Sequence, residues 1–203
     1  WEAHKAQIGF TQHVPSSTEE PFKLKVKTAQ ESRVVRKLSF STDADLRETY
    51  LSFHDSIRIG KILEDLDSIA GICAYKHADG FHPDNELTIV TAAVDRISLL
   101  EPIVPYWDLE FEGNVIWTGR SSMLVRIDVR QPQPNGGPSP LVMMGLFSMV
   151  AREKYNDVAA QVHQLKPITH REKKLFKFGE EQSRLRKERR KERFEIAPPN
   201  DEE

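Results

Sequence analysis

One long amphipathic helix, followed by a series of strand-like segments, constrains the fold more than any other feature of this sequence. From Gly60 onward the residues GKILEDLDSIAGICAYKHA repeat apolar positions at helical spacing, with one broad stripe to bury. Glu64 and Asp65 fall between the apolar positions and are predicted to point outward as surface charge. The stripe consists of Ile62, Leu63, Leu66, Ile69, Ala70, Cys73 and Ala74.

Strand-like runs rich in β-branched residues surround this helix. An edge strand is expected within 32–41, and a short helical turn within 43–51. Short links between successive strands favour antiparallel neighbours. The pattern predicts an α+β fold in which the long helix packs across a curved antiparallel sheet. The strongest runs lie at 87–100, 108–119, 121–131 and 141–152.

Composition narrows the functional classes. The chain has 29 basic and 31 acidic residues and a net charge of -2, so no global charge favours nucleic acid or an anionic membrane. Cys73 is the single cysteine, which rules out disulfides within the chain and thiolate zinc cages, and predicts a reducing compartment. No apolar run approaches the roughly 20 residues of a membrane-spanning helix.

Three regions are predicted along the chain. Residues 1–31 form an N-terminal extension, 32–153 the folded domain, and 154–203 a charged helical tail and linker. Within the tail, Lys and Arg alternate with Glu at spacings that allow ion pairs along one helix. Because aromatic residues suited to base stacking are absent there, an exposed, salt-bridged helix is favoured over nucleic-acid binding.

Several short blocks, taken in order, carry a family resemblance. The sequence resembles the hotdog acyl-CoA thioesterases, in particular the mitochondrial acyl-CoA thioesterase 9 type, from about Ser32 to Arg152. The blocks are GKILEDLD at 60–67, KH at 76–77, VTAAVD at 90–95, GNV at 113–115, TGRSSM at 118–123 and MVAR at 149–152.

This resemblance implies a hotdog fold and hydrolysis of fatty acyl-CoA to free fatty acid and CoA, without cofactor or metal, in the mitochondrial matrix. It also implies an active site at the interface of two hotdog domains, supplied by the same chain or by a homo-oligomer. Such proteins carry two hotdog domains in tandem, and this sequence matches the first. The alternative is a catalytically silent hotdog module that serves a larger mitochondrial complex as an assembly or CoA-binding subunit.

Asp67 is the leading catalytic candidate, as general base or nucleophile. It shares a helix face with apolar residues, so its carboxylate is expected to be partly desolvated and more basic. In the resembling family the acid at this position is the catalytic one. From periodicity alone, a place on the solvated border of the helix is equally compatible.

The start of the helix supplies the second candidate. Unpaired N–H groups at Gly60 and Lys61 would stabilise an oxyanion, although a lone glycine is by default a turn residue. His54 is placed where the family commonly has Asn, six residues before this glycine. Histidine cannot reproduce the amide geometry, so either His54 keeps a modified role or this half of the site is inactive.

Further candidates lie on the strands and loops. Arg120, Ser121 and Ser122 form a donor-rich corner suited to CoA, or equally an ordinary polar turn. Thr91 is a further substrate-binding candidate and is predicted to share a strand face with Asp95.

The polar segment 77–86 contains His77, Asp79, His82 and Asp84. It lacks the regular ligand spacing of a metal site and is predicted to be a solvated loop.

Overall fold

A five-stranded antiparallel sheet and one long helix form the centre of the molecule. The computed structural model describes residues 24–80, 87–155 and 158–195, with the backbone alone from residue 190. The strands are β1 (Val26–Lys27), β2 (Val34–Leu38), β3 (Leu87–Leu99), β4 (Leu109–Thr118), β5 (Ser122–Arg130), β6 (Leu141–Glu153) and β7 (Gln164–Leu165). The helices are a 3₁₀ turn (Ala29–Ser32), α1 (Ala44–Tyr50), α2 (Ile59–His77) and α3 (His170–Glu195).

The sheet order is β2-β4-β5-β6-β3, with antiparallel pairing throughout. The prediction of adjacent successive strands is confirmed for β4, β5 and β6 and is wrong for β3, which pairs with β6 at the far edge. The link 100–108 is long enough for this crossing, because an extended chain advances about 3.3 Å per residue and neighbouring strands are about 4.8 Å apart. β3 therefore becomes an edge strand of 13 residues.

Helix α2 lies across one face of this sheet and supplies much of the core. Ile62, Leu66 and Cys73 have no exposed surface. Gly113 of β4 allows the helix to approach closely, since a Cβ there would lie 3.0 Å from the Sγ of Cys73. Truncating a side chain such as Leu66 to alanine is expected to cost about 3 kcal/mol of folding free energy.

Helix α3 covers part of the opposite face of the sheet. Its Leu175 and Phe176 pack on a buried cluster that includes Trp117 and Leu124, and the backbone at Gly179 lies directly against Trp117. The tail is helical as predicted, and Arg184 pairs with Glu181 and with Glu188 further along the helix. The predicted exposed, salt-bridged helix is exposed over most of its described side chains, but the few apolar residues of its first half pack on a hydrophobic patch of the sheet.

Two short strands, β1 and β7, form a second, separate sheet. β1 pairs in parallel with β7, an arrangement that the sequence pattern did not predict. Of the extension predicted at 1–31, residues 1–23 lie outside the described residues, as does the linker predicted at 196–203. None of the helices in the described ranges is long and apolar enough to cross a membrane.

Candidate active site at the open edge of the sheet

Strand β3 leaves an open edge beside α2. One side of the strand pairs with β6, and the other pairs with no strand in the described ranges. Exposed apolar side chains follow this strand, namely Val90, Val94, Leu99 and Leu100. A long edge strand with exposed apolar residues is a ready template for pairing with another strand.

Asp67 lies on this open side of α2. Its Oδ1 accepts a hydrogen bond of 2.8 Å from the hydroxyl of Thr91 on β3, and both residues are exposed. Thr91 also contacts the sulfur of Met149, at 3.6 Å. The structure thus brings together two predicted site residues. The expected desolvation of Asp67 is not found, because the helix face that carries it lies beyond the edge of the sheet and none of the described residues covers it.

The beginning of α2 is also open. The helix starts at Ile59, and the N–H of Lys61 donates to the carbonyl of Arg58 at 2.9 Å, so the prediction of a free Lys61 N–H is wrong. The N–H of Gly60 has no acceptor among the described residues, and Gly60 is exposed. One oxyanion donor therefore remains available at this end.

Gly60 and Asp67 share a helix face but are well separated along it. Seven residues correspond to about two turns, or about 10 Å of rise. A reacting carbonyl must lie about 3 Å from both its oxyanion donor and its attacking group. Within one chain, these two groups therefore cannot act on the same carbonyl.

His54 lies at the exposed tip of a loop before α2. Its ring stacks on that of Phe53, with 3.9 Å between the ring centroids. The backbone N–H of His54 donates to the hydroxyl of Ser52 at 3.3 Å. Phe53 is 91% exposed, so this aromatic pair projects away from the chain.

The corner formed by Arg120, Ser121 and Ser122 links β4 and β5. The carbonyl of Arg120 accepts from Val162 at 2.9 Å, and that of Ser121 from Ala151 at 2.8 Å, which fixes the backbone of the corner. Ser122 pairs with Val150, which in turn pairs with Val90 on β3. The corner is thus level with Thr91 but about 10 Å across the sheet, at two strand spacings.

Thr91 and Asp95 do not share a strand face, contrary to the prediction. Register shifts between Thr91 and Ala93 and between Val94 and Arg96 interrupt the alternation of side chains. Thr91 faces α2, whereas Asp95 pairs with Arg186 of α3 at 2.7 Å. Burial raises the pKa of Asp95, and the neighbouring Arg186 opposes that rise.

Asp65 is buried, so its predicted place on the surface is wrong. One oxygen accepts from the hydroxyl of Tyr50 at 2.7 Å, and the other from Nη1 of Arg36 at 2.8 Å. Burial, followed by the hydrogen bond to Asp65, raises the pKa of Tyr50 well above its ordinary value. The helical pattern gave no signal of this network, because its two donors come from β2 and α1.

A second buried network closes the other end of α2. His77 is part of the helix and fully buried, so its predicted place in a solvated loop is wrong. Its Nε2 lies 3.0 Å from the carbonyl of His163, and Nε2 of His163 lies 3.0 Å from Asp79. Lys27 also donates to Asp79.

The pKa values in this second network follow from burial and from the neighbouring charges. Burial lowers the pKa of His77 to about 4 and also lowers that of His163. Burial alone would raise the pKa of Asp79, but the hydrogen bonds from Lys27 and His163 prevail and hold it at about 2.

The segment 77–86, at this end of α2, was predicted to be a solvated loop and not a metal site. His82 and Asp84 lie outside the described residues. Within the described ranges, no group of three His, Cys, Asp or Glu side chains could hold a metal ion.

Comparison with known proteins adds to this geometry. Residues 59–137 match the family model described as thioesterase superfamily. Acyl-coenzyme A thioesterase 2, chloroplastic, from Humulus lupulus is 38% identical over 193 residues, covering 94% of this chain and 44% of the relative. Human acyl-coenzyme A thioesterase 9, mitochondrial, is 37% identical over 146 residues, covering 70% and 33%. The chain thus spans less than half the length of these curated relatives.

Solved structures agree on the architecture. An acyl-CoA hydrolase from Bacillus cereus superposes with a TM-score of 0.66 at 28% identity, covering 86% of this chain and 99% of that one. A hexameric acyl-CoA thioesterase superposes with a TM-score of 0.64 at 28% identity, covering 86% of this chain and 100% of that one. With the sheet that surrounds α2 and the matched residues 59–137, these likenesses establish that the chain is a hotdog domain of the thioesterase superfamily.

Proposed function

We propose that this chain forms one half of an acyl-CoA thioester hydrolase in which Asp67 acts at a site shared with a second hotdog unit. The observation that carries this proposal is the Asp67 carboxylate, held by Thr91 beside the open edge of β3. Two relatives, both named acyl-coenzyme A thioesterases, support the same substrate class.

The second unit is proposed to pair along β3. Its strand would satisfy the unpaired backbone groups of this edge and cover exposed side chains such as Val94 and Leu99. Such pairing would also remove water from around Asp67, which would make the carboxylate a stronger base. The hexameric assembly of one solved relative supports pairing between units, within one longer chain or between copies.

The separation of Gly60 and Asp67 gives each unit two roles. Asp67 of one unit takes a proton from water as the water oxygen attacks the thioester carbonyl. The Gly60 N–H of the other unit stabilises the negative charge that develops on the carbonyl oxygen. The carbon–sulfur bond then breaks, and the proton passes to the CoA sulfur. The products are a carboxylic acid and free CoA, and the reaction consumes only water.

Two further groups are proposed to contact substrate. The corner of Arg120, Ser121 and Ser122 offers a guanidinium and two hydroxyls to the phosphates or pantetheine of CoA. His54 is exposed on its loop beside Phe53, and its ring is proposed to donate one hydrogen bond to the thioester at the shared site.

An organellar location is proposed from the names of the relatives. One is named chloroplastic and another mitochondrial, which makes the mitochondrial matrix one of two candidates. Imaging a fluorescent fusion of the full-length protein against markers of both organelles would distinguish them. Signal in neither compartment would contradict the proposal.

Hydrolysis by the full-length protein tests the function directly. Release of free CoA should be followed over a series of acyl-CoA chain lengths for the wild type, for Asp67→Asn and for Glu64→Gln. The Asp67 variant is expected to lose at least about 100-fold in kcat, because it cannot accept the proton from water. The Glu64 variant, which neutralises an exposed carboxylate on the same helix, should retain activity.

The outcomes separate the hydrolase from the silent module. Unchanged turnover after Asp67→Asn would remove this carboxylate from the mechanism. A wild-type protein that binds CoA tightly but hydrolyses no acyl-CoA would favour an assembly or CoA-binding subunit instead.

A further inference from the structure

The loop before α2 is a short, closed hairpin. The N–H of Arg58 donates to the carbonyl of Tyr50 at 2.8 Å, and Leu51 forms an antiparallel bridge with Ile57. Nearer the tip, the N–H of Ser52 donates to the carbonyl of Ser56 at 2.8 Å, and their hydroxyls are also 2.8 Å apart. These bonds join the two arms of the hairpin to each other and to the residue at its base, Tyr50.

A side-chain bond attaches this hairpin to the body of α2. The Tyr50 hydroxyl donates to Oδ2 of Asp65 at 2.7 Å, and the Tyr50 ring packs on Phe40 with 5.0 Å between centroids. The hairpin ends at Arg58, the N-cap residue that directly precedes the first helical residue of α2. The chain from Tyr50 through Gly60 to Asp65 is thus closed into a ring by one hydrogen bond.

Asp65 is held from a second direction as well. Nη1 of Arg36 on β2 donates to its Oδ1 at 2.8 Å, and the side chain of Asp65 is only 9% exposed. Apolar residues of similar size would fill this position without the cost of burying a charge. Hydrogen bonds constrain both distance and angle, so the network fixes the hairpin in one orientation in a way that apolar packing does not.

We infer that Asp65 and Tyr50 are positioning residues that orient the hairpin and the Gly60 end of α2 for the second hotdog unit. This inference rests on the proposed function for its kinetic consequence. Neither residue touches the open edge: they act through residues 51–60, which carry the free Gly60 N–H and the projecting Phe53 and His54.

The main test is Tyr50→Phe, which removes one hydroxyl and keeps the ring on Phe40. Tyr155→Phe is the matched control, since Tyr155 is 72% exposed and follows β6 rather than α1 or the hairpin. In the full-length protein, kcat for acyl-CoA hydrolysis should fall by about 10-fold or more with KM within about twofold, because a misplaced donor lowers catalysis more than binding. The control should retain both constants.

Hydrogen exchange supplies a readout that does not depend on activity. In Tyr50→Phe, amides of residues 51–60 should exchange faster, while those of β4 and β5 remain as in the wild type. Equal exchange in this segment would overturn the inference, whatever the kinetics show. An inactive wild type would contradict the proposed function, while the exchange result would still decide whether the hairpin is fixed by this bond.

A second variant guards against misreading a general loss of stability. Asp65→Asn keeps the size of the side chain but cannot accept from both Tyr50 and Arg36 as the carboxylate does. The double variant with Tyr50→Phe should be no more impaired in kcat than the worse single variant, because both remove the same bond. Additive losses in kcat would contradict a shared role.

Discussion

The two ends of helix α2 differ in how completely one chain satisfies their polar groups. At the C-terminal end, the ring nitrogen Nε2 of His77, the Asp79 carboxylate and the Lys27 amine are bound to one another or to neighbouring groups. At the N-terminal end, the Gly60 N–H has no acceptor in the part of the chain that the structure describes and, further along, Asp67 is exposed with Thr91 beside it. Stability is therefore expected from the closed end and chemistry from the open end.

Acidification should break the closed end first and gives the largest expected effect. The pKa of His77 is depressed to about 4, below its unfolded value near 6.5, so the unfolded state binds more protons between these pH values. The contribution of neutral His77 to the free energy of unfolding is fully present above pH 6.5 and is lost as pH falls toward 4. We expect a loss of up to about 3 kcal/mol in the free energy of unfolding, measured by urea denaturation at several pH values.

Substitution of His77 by Gln sharpens this prediction. Gln can still donate to the carbonyl of His163 but does not titrate, so the decline between pH 6.5 and 4 should be smaller than in the wild type. His163 also has a lowered pKa and would account for a remaining part of the slope. An unchanged slope would show that His77 does not control acid stability.

Removing the carboxylate at the closed end should cost somewhat less. Asp79→Asn leaves the buried Lys27 without its counter-charge, and we expect about 2 kcal/mol less stability at pH 7, since Asp79 is itself partly exposed. Turnover per folded molecule should remain unchanged, because this end carries none of the proposed site residues. A large fall in kcat without unfolding would remove the distinction between the two ends.

At the open end, loss of the Thr91 hydroxyl should lower activity while changing stability little. Thr91→Val removes the hydrogen bond to Asp67 and should change the free energy of unfolding by about 1 kcal/mol or less, because both residues are exposed. The kcat should fall several-fold, since the carboxylate loses its orientation. Thr91→Ser, which restores a hydroxyl, should recover most of the activity in the same assay.

Chelation should affect neither end. If water is the only co-reactant, dialysis of the full-length protein against EDTA should leave both its kcat and its melting temperature unchanged. A fall in either that is reversed by a divalent cation would contradict the proposed mechanism.

Local pattern was sufficient for most of the secondary structure. The helical period of residues 60–77 and the β-branched runs after residue 86 predicted α2 and the four long strands within a few residues. They did so because burial of one face requires apolar residues at regular spacing in the sequence. The same pattern placed Asp65 outside, and the structure reverses that prediction. For Asp67 it left a partly buried face and the solvated border equally compatible, and the structure shows the exposed alternative within one chain. Their surroundings depend on Tyr50, Arg36 and the open sheet edge, which are remote in sequence.

The family resemblance predicted the fold as well as the secondary structure. It implied a helix wrapped by an antiparallel sheet, and the superposition on solved acyl-CoA hydrolases confirms that arrangement. The roles assigned to Asp67, Gly60, His54 and the Arg120 corner remain predictions. The pairing of Asp67 with Thr91 is a structural fact that their separation in sequence did not reveal.

By itself, then, the sequence determined the long helix, the four long strands and the residue types available to the proposed site. Only the tertiary structure decided that β3 lies at the sheet edge, that its bulges turn Thr91 toward α2 and Asp95 toward α3, and that Asp65 is enclosed while Asp67 is not. The physical reason is that periodicity records whether a residue faces a neighbour. The identity of that neighbour depends on strand order and register, which are set by contacts between distant parts of the chain.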